Sequence, residues 1–183
     1  MPPSRFPKPY ADFVARLRVP CGFLLVAAFA WFAHPSGRSL ALGIPISLAG
    51  LVLRAWAAGC LAKDQQLATG GPYSYVRNPL YLGTLLVAAG LAIACRSVGL
   101  AILFACVFIF IYLPVIMLEE QHLAELFPDF EHYATTVPPL FPYRKPLKSV
   151  GRFSVSLYLK NREYQALLGF MVGLAWLLYR LMH

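Results

Sequence analysis

The residues from Gly71 to Gly83 read GPYSYVRNPLYLG, with apolar runs on both sides. Asn78-Pro79 has the form of a helix start. Asn is a favoured N-cap, and Pro is favoured at the first helical position because its missing N–H has no partner there. The first amides of such a helix, with the positive end of its dipole, suit an anion. A capped start accounts for Asn78-Pro79 alone, but not for Arg77 and Tyr81 beside it. Further along, Glu119-Glu120 closes another apolar run. Carboxylates at a helix C-terminus oppose the dipole, so something must compensate. Either Arg77 pairs with one of them, or a carboxylate binds the hydroxyls or cation of a ligand. Tyr73, Tyr75 and Tyr81 offer aromatic faces, read as part of an interfacial belt or as an electron-rich wall around a cation. Arg54 interrupts the apolar LVLRAW segment. An intramembrane arginine is costly and marks function by default, the alternative being a side chain that reaches the nearby interface. An anion site at one helix start beside a carboxylate at a neighbouring helix end suits a zwitterionic ligand carrying a hydroxylated sugar.

These groups need a scaffold, and the composition says membrane. The chain is 59% hydrophobic and 13% charged, with a mean hydropathy of +0.62. Ordinary soluble domains are about 45–50% apolar and about 25% charged. Its 183 residues suit one domain. Apolar runs at 19–33, 40–62, 80–94, 97–118 and 164–181 predict an all-α polytopic membrane bundle of about five transmembrane helices. The second and fourth reach the roughly 20 residues that a bilayer crossing takes. The first and third are short and fit by thinning the bilayer, by continuing into flanking residues or by lying inside the bundle. Arg16, Arg18 and the Ala-Phe-Ala at 28–30 resemble a signal peptide, but four further apolar runs make an uncleaved first helix simpler.

With the N-terminus cytoplasmic, twelve of the sixteen Lys and Arg lie inside; Arg38, Arg96 and Arg180 lie outside, and Arg54 is within a span. That bias predicts N-in, five spans and C-out, expected in a bacterial inner membrane. All eight acidic residues share the inner face, which places the chemistry there. The net charge of +8 reads as topogenic and as attracted to anionic lipids, with no nucleic-acid partner. The four cysteines form no CxxC pair and the four histidines no ligand spacing, so no metal site or disulfide framework is expected. Residues 1–18 form a polar arm, 63–79 the first substantial inner loop, and 143–163 a basic connector. Arg96 sits in a tight turn that folds the third and fourth runs into an antiparallel hairpin, bringing Leu80 and Leu118 to one face. Leu123, Leu126 and Phe127 give a continuing helix one apolar side, and Pro138, Pro139 and Pro142 stop any helix there. Pro114 and Pro45 are expected to bend the fourth and second helices.

After the hairpin and Glu119-Glu120 come F-x-x-F-x-x-Y from Phe127 to Tyr133 and V-P-x-x-x-P from Val137 to Pro142. Together with GPYSYVRNPLYLG, this set resembles the isoprenylcysteine carboxyl methyltransferases, to which the phospholipid N-methyltransferases are related. The resemblance covers 51–142, a methyltransferase-like core within a single integral membrane domain, 1–183; the run 164–181 looks like an added C-terminal helix. It implies a methyltransferase with a cytoplasmic pocket for S-adenosyl-L-methionine and a lipid-like or lipidated acceptor, such as the carboxylate of an isoprenylcysteine. Carried over by position, the cofactor would be held by Gln65, Gln66, Leu67, Ala68, Tyr73, Asn78, Pro79, Leu80, Tyr81 and Glu119. Arg77, Asn78 and Arg54 are positioning candidates, and no residue stands out as a base. In-line methyl transfer mainly needs alignment of donor and acceptor. Two positions depart from the family. Asn78 stands where His is usual, so no acid–base role carries over. Val115 stands where an arginine meets the acceptor, leaving Arg54 or Lys63 to replace it. Competing readings are an amino-lipid or phospholipid N-methyltransferase, a non-enzymatic membrane protein of the same fold, and a nicotinamide-dependent lipid reductase.

Overall fold

A computed structural model describes residues 8–148 and 151–183, with side chains from residue 16 onward apart from Arg18 and Val19. Residues 1–7 of the expected arm, Arg5 among them, lie outside the described residues. The helices are α1 (Lys8–Phe32), α2 (Gly37–Cys60), α3 (Pro79–Cys95), α4 (Val98–Leu126), α5 (Phe130–Thr136), α6 (Val155–Lys160) and α7 (Tyr164–Met182), with a 3₁₀ turn at Gly71–Ser74. By length and composition α2, α4 and α7 can cross a bilayer; Pro20–Phe32 and α3 are shorter apolar helices. From Lys8 the expected arm is helical and runs unbroken through Pro20 into the first apolar run. Phe23, Trp31, Val98, Phe110 and Val172 point outward, each more than half exposed. Water does not tolerate so greasy an exterior, whereas lipid does. The chain is an integral membrane protein.

α2 and α3 meet along small residues. A Cβ on Gly43 would stand 2.3 Å from the Gly90 carbonyl oxygen, and one on Gly50 would stand 2.6 Å from that of Gly83. Such close backbone approach is how helices associate where lipid removes the hydrophobic drive. Ser47 and Ser39 add hydroxyl donations across the seam, to the Val87 and Ala94 carbonyls at 3.0 and 2.8 Å.

The α3–α4 hairpin turns at Arg96, left-handed at φ 54°, and Ser97 caps α4 by accepting from the Leu100 N–H. Ala33, Leu40, Ala94, Cys95, Leu100 and Leu177 bury one another at this end of the bundle. Arg38 near the start of α2, Arg96 at the turn and Arg180 near the end of α7 share it, and Arg180 donates to the Ala33 carbonyl. Pro114 does not break α4. The turn Phe108–Tyr112 is wide, with the Leu113 N–H reaching back to the Phe108 carbonyl. Pro114 has no N–H for the carbonyl four residues before it, and a π-turn just upstream absorbs the misfit.

At the opposite end α4 runs on to Leu126, and α5 packs Phe130, Tyr133 and Val137 against Leu67, Leu123 and Phe127. The connector then lies over the end of α2. The Ser154 N–H donates to the Gly59 carbonyl at 2.8 Å, and the Phe153 ring takes the space a Cβ on Gly59 would need.

Candidate functional site

A cavity of about 850 Å³ opens where α2 ends, α3 begins and α4 leaves the hairpin. Small-molecule sites span roughly 300–1,000 Å³. Gln66, Leu67, Ala68, Tyr73, Asn78, Leu80, Tyr81 and Glu119 line it, as do Arg54 and Arg77. Two positions from the sequence reading do not. Gln65 is exposed in the turn after Ala62, and Pro79 is packed inside the protein. Tyr75 is 45% exposed and also lies off the cavity.

The two adjacent glutamates do different things. Successive helical residues diverge by about 100°. Glu120 turns inward, where Arg77 meets both its oxygens at 3.0 Å through Nε and Nη2. The Asn78 amide nitrogen donates to Glu120 at 2.8 Å and to the Pro139 carbonyl at 3.2 Å. Arg77 also donates to the Ala134 carbonyl at 2.7 Å, and the main-chain amides of Arg77 and Asn78 donate to the carbonyls of Pro138 and Pro139. Of the partners left open for Arg77, the structure selects Glu120. It also corrects the reading of Asn78 as a side-chain cap. Its amide is committed to Glu120 and Pro139, and its carbonyl, not its side chain, serves the Tyr81 and Leu82 amides. With these amides satisfied from within, the start of α3 offers an anion less than expected.

Glu119 lines the cavity as Glu120 does, but its partner there is the Tyr81 hydroxyl, which it accepts at 2.9 Å. Tyr81 in turn meets the Tyr112 ring edge-on at 6.0 Å. Tyr73 is buried, and its carbonyl accepts the Tyr133 hydroxyl at 2.7 Å. Its own hydroxyl, buried beside the cavity, has no hydrogen-bond partner among the described residues. Burial first, then neighbouring Tyr133, pushes its pKa up, so the phenol stays protonated and can donate. Leaving such a group unpaired costs about 1–3 kcal/mol, and a buried orphan of this kind points to a missing partner.

Arg54 does not simply reach for the interface. Its Nε donates to Glu163 Oε1 at 2.5 Å and its Nη2 to Oε2 at 3.0 Å. Its Nη1 donates to Thr84 Oγ1 and, at 3.3 Å, to the Leu80 carbonyl. Asn161 closes the end of α2 by donating to the Ala58 and Leu61 carbonyls at 2.8 and 2.9 Å. Glu163 and Asn161 thus make a wall of the cavity from the end of the basic connector, to which the sequence reading gave no role in the site. The available signal was one of charge: a lone arginine in one apolar run and a lone carboxylate at the start of another.

The model of the phospholipid methyltransferase family matches residues 21–129, from within α1 to the start of α5. The chain belongs to the phospholipid methyltransferase family. The match includes both the Gly71–Gly83 segment and Glu119-Glu120, but not the connector or α7. Among curated relatives, a cobalt-zinc-cadmium resistance protein of Cupriavidus metallidurans is 37% identical over 55% of this chain and 46% of its own length. A nickel-cobalt-cadmium resistance protein of Alcaligenes xylosoxydans xylosoxydans is 34% identical over 62% of this chain and 53% of its own. The protein-S-isoprenylcysteine O-methyltransferase of Schizosaccharomyces pombe is 36% identical over 44% of this chain and 36% of its own. The chain therefore aligns with about half the length of the first two relatives, and less of the third. No solved structure matches it significantly.

Proposed function

We propose that this chain is an S-adenosylmethionine-dependent methyltransferase that acts at the membrane on a lipid-like acceptor. The observation that carries the reading is the buried Tyr73 hydroxyl without a partner, in the wall of the cavity that Glu119 also lines. The donor set fits the cofactor: a carboxylate for ribose hydroxyls, a neutral phenol for an acceptor oxygen, and tyrosine rings for a sulfonium. Bound there, S-adenosylmethionine supplies an electrophilic methyl group. Glu119, held by Tyr81, accepts the hydroxyl hydrogens, Tyr73 donates one hydrogen bond, and the 66–68 strip flanks the ligand. Arg77, Asn78 and Glu120 lock the floor on which these groups stand.

A carboxylate acceptor needs no base, which agrees with the want of an evident one, and the fission-yeast relative's name supports an isoprenylcysteine carboxylate. N-methylation of an amino-lipid is the second reading, favoured by the family's description. The lysine and arginine bias supports a cytoplasmic cavity in a bacterial inner membrane. Calorimetry of purified protein with S-adenosylhomocysteine tests the cofactor, and saturable binding is expected. No heat of binding would sink the proposal. Label from radioactive S-adenosylmethionine, offered a farnesylcysteine analogue or a membrane lipid extract, then identifies the acceptor.

A further inference from the structure

The Arg54–Glu163 pair is unequal in how its members are held. Arg54 is fixed by α3: its stem packs over Gly83, where a Cβ would stand 2.5 Å from Arg54 Cγ, and its Nη1 is bonded to Leu80 and Thr84. Glu163, among the described residues, is bonded through its carboxylate to Arg54 alone. It follows Arg162, a non-glycine residue at φ 54°, a conformation that costs about 1–2 kcal/mol. The guanidinium is built in and its partner is replaceable. Both line the 850 Å³ cavity. A guanidinium fork of this kind matches a carboxylate or a phosphate in a bidentate geometry.

A second cavity of about 610 Å³ lies among α1, α3, α4 and α7, walled by apolar side chains such as Phe29, Leu91, Phe104 and Val172. Thr84 lines both cavities and is bonded to Arg54. A ligand reaching from one to the other passes Arg54 with a polar head on one side and hydrocarbon on the other.

We infer that Arg54 is the specificity-determining anchor for an oxyanion on the amphiphilic acceptor, and that Glu163 is an internal stand-in which the oxyanion displaces. This rests on the methyltransferase reading above. The oxyanion is either a carboxylate or a lipid phosphate, and the two are separable.

The test measures binding of four probes to the purified full chain by calorimetry: N-acetyl farnesylcysteine, its methyl ester, short-chain phosphatidylglycerol and short-chain phosphatidylethanolamine. Glu163→Gln is expected to tighten one anionic probe roughly ten-fold while leaving the uncharged ester unchanged. Tightening of the farnesylcysteine acid assigns a carboxylate, and tightening of phosphatidylglycerol assigns a phosphate. Arg54→Lys keeps the charge but loses the fork, and is expected to reduce the preference for acid over ester. Should Glu163→Gln not fold, that preference and its reduction in Arg54→Lys decide the question. An unchanged anion affinity in Glu163→Gln overturns the inference, as does an acid-over-ester preference that survives Arg54→Lys intact. Weakened binding of short-chain phosphatidylethanolamine in Glu163→Gln overturns it too, because Glu163 would then hold a cation. Failure of the wild type to bind S-adenosylhomocysteine counts against the proposed function and leaves these outcomes readable.

Discussion

Tyr73 keeps a buried hydroxyl with no partner among the described residues, while its own N–H and carbonyl are both bonded. Removing that oxygen should cost the free protein nothing. Tyr73→Phe is expected to hold or raise the melting temperature and to weaken S-adenosylhomocysteine binding by about ten-fold. A lowered melting temperature with unchanged affinity would make the residue purely structural. The raised pKa of Tyr73 also predicts a pH dependence. An unfolded tyrosine ionises near pH 10, before the folded one. Because the folded chain keeps Tyr73 protonated, its stability is untouched by this group below about pH 10 and declines as pH rises past it. A pH series of melting temperatures checks this, and Tyr73→Phe should flatten the decline. Glu119 and Glu120 separate in the same way. Glu119→Ala is expected to weaken cofactor binding by about ten-fold or more with little change in stability. Glu120→Ala strands Arg77, itself only 13% exposed in its side chain, and should cost of order 3 kcal/mol in thermal unfolding. Equal effects on binding would place both carboxylates in one network. The sequence showed two carboxylates needing compensation; both border the cavity, and helical phase decided that Glu120 meets Arg77 while Glu119 meets Tyr81.

Among the elements, the α2–α3 seam sets how closely the cavity walls approach. Gly50→Leu is expected to cost about 1–3 kcal/mol by forcing the helices apart. Gly22→Ala, inside α1 with nothing within 4 Å, should be neutral to mildly stabilising. Thermal unfolding in detergent compares the two, and equal melting temperatures would refute the seam. The hairpin was legible because a turn this tight leaves an antiparallel return as the simplest path. The Asn78 cap was misread for a physical reason. Local rules weigh a side chain against its own helix, whereas Glu120 and Pro139, 42 and 61 residues away, claim its amide. Pro114 was legible as a disturbance, and packing decided that it becomes a wide turn.

Across the described molecule, basic residues other than Arg54 gather at two ends. Arg38, Arg96 and Arg180 share one, and the cavity with Lys63 and Arg77 occupies the other. In a cysteine-free background, a cysteine at position 38 is expected to react with an impermeant thiol reagent from outside the cell, and one at position 63 only after the membrane is opened. The reverse pattern would invert the proposed orientation. By itself, the sequence determined the membrane class, the helical runs and the hairpin, because hydropathy and turn chemistry act over short distances along the chain, and its motifs pointed to part of the cavity lining. Only the tertiary structure decided that Arg77 takes Glu120, that Tyr73 is left with an unmet hydroxyl, and that Glu163 from the end of the connector meets Arg54 across 109 residues. Those outcomes depend on which charged and polar groups packing brings together and removes from solvent, and no local spacing encodes that.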